Sequence, residues 1–228
     1  TGDLQFDLWG VEPTDPARWA TLRERIAEHG LRNSLMIAIA PTATIASIAG
    51  CYECIEPQVS NMFKRETLSG EFIQINRYLV RDLQERGLWN EQTTNAVKRA
   101  EGSIQDVAEV PDALKEIYRT AWEIPMRSLI DMAADRGAYV DQSQSLNLFM
   151  ESPTIGKLSS MYLHAWKSGL KTTYYLRSRP ATRINKTTTD DGPAPGEPAT
   201  VAGSSPAFSD AEAVACSLEN PETCEACD

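Results

Sequence analysis

Three short stretches carry side chains whose types and spacing could do chemistry. One is Cys224-Glu225-Ala226-Cys227, two thiols at the spacing of thiol–disulfide exchange motifs and of half a zinc site. The next is Tyr174-Tyr175, adjacent phenols that can each give up a proton, as phenylalanine cannot. Taken alone, the pair also reads as an aromatic-rich strand, and a regular strand would point the two rings to opposite faces. The last is Pro41-Thr42-Ala43-Thr44-Ile45, directly after the apolar run at residues 35–40. A helix starting there presents unpaired N–H groups and a partial positive charge, which attract phosphate without a lysine. Taken alone, an ordinary strand-to-helix turn with a threonine cap at Thr42 or Thr44 explains the same residues.

These groups need elements to hold them. The run at 35–40 has the length and continuous apolarity of a buried strand in a parallel sheet. Asn76 can cap a helix that shows Leu79 and Leu83 on one face and stops at Gly87. Asn90 can cap a second, ending near Gly102. From Asp112, the set Leu114, Ile117, Tyr118, Ala121 and Trp122 has helical spacing, and Pro125 interrupts that helix or starts another. Leu158, Met161, Tyr162, Ala165 and Trp166 repeat the spacing before Gly169. Residues 171–177 read as a strand, rich in Thr and Tyr. The mixture predicts an α/β body over residues 1–185. Residues 186–206, rich in Pro, Gly, Ser, Thr and Ala, read as a disordered tether with too little apolar surface to offset chain entropy. Residues 207–228 form an acidic tail that carries the terminal thiols.

Composition narrows the class. A net charge of −10 lacks the basic footprint of a nucleic-acid binder, but does not oppose a small phosphorylated ligand. No apolar run is long enough to span a bilayer. Five cysteines, an odd and sparse set, do not make a secreted disulfide framework and point to a reducing, cytoplasmic setting. A zinc site would have to join Cys51 and Cys54 to the distant terminal pair, unlike the usual zinc spacings. No metal ligand set is therefore expected.

Blocks along almost the whole chain resemble the large subunit of class I ribonucleotide reductases, in the eukaryote-like branch. They include Leu4-Gln5-Phe6-Asp7-Leu8-Trp9, the PTATIASIAG turn, Ile55-Glu56-Pro57, Ser60-Asn61 and Ser69-Gly70-Glu71-Phe72. Further blocks are Arg86-Gly87-Leu88-Trp89, Asp141-Gln142-Ser143-Gln144-Ser145-Leu146-Asn147, Tyr174-Tyr175-Leu176-Arg177 and Ala215-Cys216-Ser217-Leu218. The resemblance implies the C-terminal portion of a ten-stranded α/β barrel followed by a flexible tail. It implies that Pro41, Thr42, Ala43, Thr44 and Ile45 hold a substrate diphosphate, with Ile45 offering only its backbone N–H. It implies that Tyr174 and Tyr175 relay an oxidising equivalent from the small subunit to a substrate-site cysteine. It also implies that Cys224 and Cys227 shuttle electrons from thioredoxin or glutaredoxin to the active-site disulfide. Cys51 and Cys54 stand where the family usually has Asn and Ser, and read as adventitious thiols; Cys216 matches a family cysteine without a firm role.

The resemblance places the thiyl-forming cysteine, its reducing pair and the effector sites upstream of Thr1. The expected partners are thus the N-terminal portion of the large subunit, the small subunit with its metal and radical cofactor, and a nucleoside diphosphate. No cofactor is expected on this stretch itself. Two other readings stay open. A cobalamin-type reductase would have no use for the tyrosine pair, and a non-enzymatic CxxC interaction module would have no use for the phosphate turn.

Overall fold

The computed structural model describes residues 2–67 and 70–179. The tether and tail expected at 186–228, with Cys216, Cys224 and Cys227, lie outside the described residues. Two apolar clusters organise the body. One joins α7 (Met126–Gly137), β3 (Asn147–Met150) and α8 (Ile155–Lys167) through Leu129, Ile130, Leu148 and Met161. The other joins α4 (Arg77–Glu85), α5 (Glu91–Arg99) and α6 (Asp112–Ile117) through Leu79, Leu83, Val97 and Leu114. The N-terminal helices α1 (Gln5–Leu8) and α2 (Pro16–His29) pack against each other and, through α1, against the C-terminal end of α7. There Phe6 is buried against Trp19 and Tyr139. Trp9 lies so close to Gly137 that a Cβ at that position would collide with its ring.

The caps expected from sequence form. The Asn76 side chain accepts from the N–H groups of Tyr78 and Leu79, and Asn90 accepts from Thr93. These bonds satisfy donors that a helix start leaves orphaned. The helix expected from Asp112 to Trp122 stops at Ile117. Tertiary bonds turn the chain there: Asn61 Nδ2 donates to the Tyr118 carbonyl at 2.9 Å, and Ala121 N–H donates to the Gln58 carbonyl at 2.8 Å. Ala121–Glu123 then forms a short 3-10 turn, and Pro125 starts α7 instead of interrupting a helix. In α8, Met161 and Ala165 face the core, whereas Trp166 is exposed.

Two strand expectations need correction. Residues 35–40 do not form a strand. Their pairing is one isolated parallel bridge, Ile39 with Gln144, and two flanking bonds in which Gln142 and Ser145 donate to the carbonyls of Ile37 and Ile39. Leu35, Met36 and Ile37 are more than half exposed. A buried strand needs a neighbour on each edge and cover on each face, and the described residues supply one edge only. The strand expected at 171–177 is shorter and later, β4 at Tyr175–Ser178. It pairs in parallel with β3, with α8 as the crossover and Asn147 opposite Tyr175. An antiparallel hairpin, β1 (Met62–Thr67) and β2 (Gly70–Ile75), lies between the turn after residue 41 and α4. The sequence reading did not anticipate it.

The second cluster carries a polar clasp with a pH signature. The Tyr118 hydroxyl donates to Asp82 at 2.6 Å. That bond holds the Asp82 carboxyl below the usual carboxylate range, while burial, and then Asp82, push the Tyr118 phenol up to about 12. The depressed carboxylate contributes stability at neutral pH that is lost as pH falls through its folded value. The raised phenol contributes stability below its ordinary value near 10 that is lost as pH climbs towards about 12. Tyr118→Phe should therefore lower stability at pH 7 and flatten its pH dependence at both ends. Urea titrations at acid, neutral and alkaline pH check this; unchanged slopes at both ends would mean that the clasp does not form.

Candidate functional site

The turn after residue 41 is built as a short helix, α3 (Ala43–Ala49), whose first internal bond runs from Ala46 N–H to the Thr42 carbonyl at 2.7 Å. The N–H groups of Ala43, Thr44 and Ile45 therefore have no acceptor within the helix and point out of its start. Thr42 occupies the N-cap position, but its side chain does not cap. Its backbone lies in the left-handed region at φ 53°, costly for a β-branched residue. A left-handed residue leading into a right-handed turn forms a nest of convergent N–H groups, a shape that favours anions. The loop that follows clasps this helix at both ends. Cys54 N–H donates to the Pro41 carbonyl and Cys51 N–H to the Ala46 carbonyl, each at 3.0 Å. From the hairpin, Arg65 donates to Ser47 Oγ at 2.9 Å.

Cys51 is an exposed free thiol and Cys54 a half-buried one. Burial, and then the neighbouring Glu56 carboxylate, push the Cys54 thiol up, so it stays protonated and is a poor nucleophile. The buried titratable group of this loop is instead Glu56, a carboxylate to which the sequence reading assigned no role. Asn147 N–H donates to Glu56 Oε1 at 2.9 Å and Asn147 Nδ2 to Glu56 Oε2 at 3.0 Å. Asn147 is the first residue of β3, so this contact ties the loop after the turn to the strand that pairs with β4. Nothing local marks Glu56 as buried; an acidic residue between Ile55 and Pro57 reads as surface.

Tyr174 and Tyr175 stand at the start of β4. Tyr174 precedes the strand, with its N–H bonded to the Leu146 carbonyl at 2.9 Å. The backbone has not yet entered regular pleating there, which allows the rings onto one side. Their centroids are 4.0 Å apart at 52°, and the Tyr175 hydroxyl donates to the Tyr174 hydroxyl at 3.2 Å. The contact required for exchange between the phenols is thus present, and the divergence of a plain strand is absent. The hydrogen bond to Tyr175, and then the charge a neighbouring phenolate would carry, push the Tyr174 phenol up from its ordinary value. Both rings are about half exposed.

The structure thus links the turn and the tyrosine strand through Glu56 and Asn147, while the terminal thiols lie outside the described residues. No helix among those residues is long and apolar enough to cross a membrane.

Residues 1–176 match the family model of the ribonucleotide reductase barrel domain. The chain is 44% identical to the ribonucleoside-diphosphate reductase large chain of Schizosaccharomyces pombe, over 99% of this chain and 30% of that protein. Identity to the large subunit of Arabidopsis thaliana is 47%, over 99% of this chain and 28% of that protein. The Danio rerio large subunit is 53% identical over 78% of this chain and 23% of its own length. Among solved structures, the Actinobacillus ureae class Id ribonucleotide reductase alpha subunit superposes with a TM-score of 0.59 at 31% identity, covering 72% of this chain and 30% of that one. The chain spans less than a third of the length of these relatives. With an α/β barrel-type fold shared with a solved alpha subunit and a family match across residues 1–176, the chain belongs to the ribonucleotide reductase barrel-domain family.

Proposed function

We propose that this chain is the C-terminal part of a class I ribonucleoside-diphosphate reductase large subunit, contributing to a ten-stranded barrel. It supplies a substrate-phosphate turn, a tyrosine relay and a terminal dithiol to an enzyme that converts ribonucleoside diphosphates to deoxyribonucleoside diphosphates. The observation that carries this reading is the pair of phenols in hydrogen-bond contact at 3.2 Å. In such a relay one O–H bond breaks as the other forms, and an electron moves with the proton, so no net charge builds up between the rings. The oxidising equivalent comes from a small subunit with its metal and radical cofactor, and passes on to a thiol in the N-terminal portion. Both are also candidates to cover the half-exposed rings and the apolar run at 35–37. Nucleotide effectors would bind outside this stretch. The contact between the two phenols favours class I over the cobalamin-type alternative, and the nest at 42–45 favours an enzyme over a bare CxxC interaction module.

The complete large subunit, combined with its small subunit and a dithiol, should form deoxyribonucleotide from a ribonucleoside diphosphate. Absence of product under those conditions would reject the reading. The diphosphate is assigned to Pro41, Thr42, Ala43, Thr44 and Ile45, where exposed N–H groups converge and the Thr44 hydroxyl can add a donor. Thr44→Val should weaken substrate binding by about 1–2 kcal/mol, the usual worth of a hydrogen bond to a charged group. Unchanged KM and affinity would remove Thr44 from the phosphate site.

A further inference from the structure

Glu56 is 6% exposed, and a buried carboxylate is costly unless its oxygens are fully engaged. Here one residue engages both, because the backbone and side-chain donors of Asn147 take one oxygen each. That arrangement fixes which way the Asn147 amide faces. With its nitrogen committed to Glu56, its oxygen Oδ1 points the other way and accepts from Arg177 Nε at 3.4 Å. Arg177 lies on β4 two residues after Tyr175, so both side chains stand on one face of the strand. The guanidinium carbon lies 5.4 Å from the centroid of the Tyr175 ring, on which Tyr174 also packs at 4.0 Å. A flipped amide would turn its donors on a guanidinium, which has no acceptor to offer.

We propose that Glu56 and Asn147 are positioning residues for the tyrosine pair, locking an amide whose oxygen holds Arg177 against the Tyr175 ring. The proposal rests on the relay reading. Two consequences follow from the geometry. Tyr175 is in contact with both a guanidinium and a second ring, and these contacts favour the ring position that keeps its hydroxyl within reach of Tyr174. A cation at the ring also opposes loss of an electron ahead of the proton, since that would place two positive charges side by side. Electron and proton therefore leave Tyr175 together, the electron and proton acceptors being those of the relay itself.

The test uses the complete large subunit with its small subunit. Arg177 is exposed, so Arg177→Met should fold normally. It should lower kcat about ten- to a hundredfold, as misplacement of reacting groups does, with KM for the nucleoside diphosphate unchanged. Arg177→Lys should recover part of the loss. Glu56→Gln should lower kcat in the same way, because an amide cannot accept from both Asn147 donors. Combining Glu56→Gln with Asn147→Asp restores a matched set, the new amide donating to the new carboxylate, and should return most of the activity. Normal kcat in Arg177→Met, or a paired variant no better than Glu56→Gln alone, would overturn the proposal. If the buried substitutions do not fold, Arg177→Met decides by itself. Tyr175→Phe serves as the control, since normal turnover in that variant would reject the relay and not merely its positioning.

Discussion

Tyr174→Phe and Tyr175→Phe should each leave the fold intact and stop turnover. Either change keeps the ring and removes one hydroxyl with its hydrogen bond to the other, so packing at the start of β4 is preserved at a cost of about 1 kcal/mol. What is lost is the proton that lets a phenol hand on an oxidising equivalent without leaving a charge behind. Reductase activity should fall at least about a thousandfold, roughly 4 kcal/mol on the barrier. Substrate affinity and binding of the small subunit should stay near wild type, because neither rests on the hydroxyl pair. The measurement is steady-state turnover beside separate binding titrations for both ligands. A phenylalanine variant with normal turnover would remove the main support for class I chemistry and leave the cobalamin-type reading ahead.

The second large effect concerns the terminal thiols. With Cys224→Ser and Cys227→Ser together, multiple turnover driven by a thioredoxin or glutaredoxin system should be abolished. Turnover driven by a small dithiol should survive, because such a reductant enters the site unaided and exchanges directly with the disulfide formed there. Equal losses in the two assays would make the pair structural. Retained thioredoxin-driven turnover would make it incidental.

Several features were legible in the residues alone. Asn76 and Asn90 as caps, and Gly87, Gly102 and Gly169 as stops, depend on bonds within a few residues, and the structure has them where the sequence placed them. The family was legible as well, through ordered blocks that run from Leu4 to the tyrosine pair and match a family model across 1–176. So were the turn at 41–45 and the adjacency of two phenols, since both are statements about neighbours in the chain.

Other features depend on groups that the sequence holds far apart. The run at 35–40 has the composition of a buried strand, yet among the described residues it is paired along one edge only, and strand formation needs partners as well as propensity. The helix from Asp112 ends early because Asn61 and Gln58 capture the backbone beyond it. Whether Tyr174 and Tyr175 diverge or touch is decided where β4 begins, one residue after Tyr174, and the Leu146 carbonyl sets that start. Glu56 becomes a buried ligand of Asn147 only because the loop after α3 is drawn against β3, 91 residues further on. Local propensity and spacing thus determined the caps, the turn and the candidate chemistry. Which strands pair, which carboxylate is buried and which side the phenols share were decided by long-range hydrogen bonds, whose partners no local pattern names.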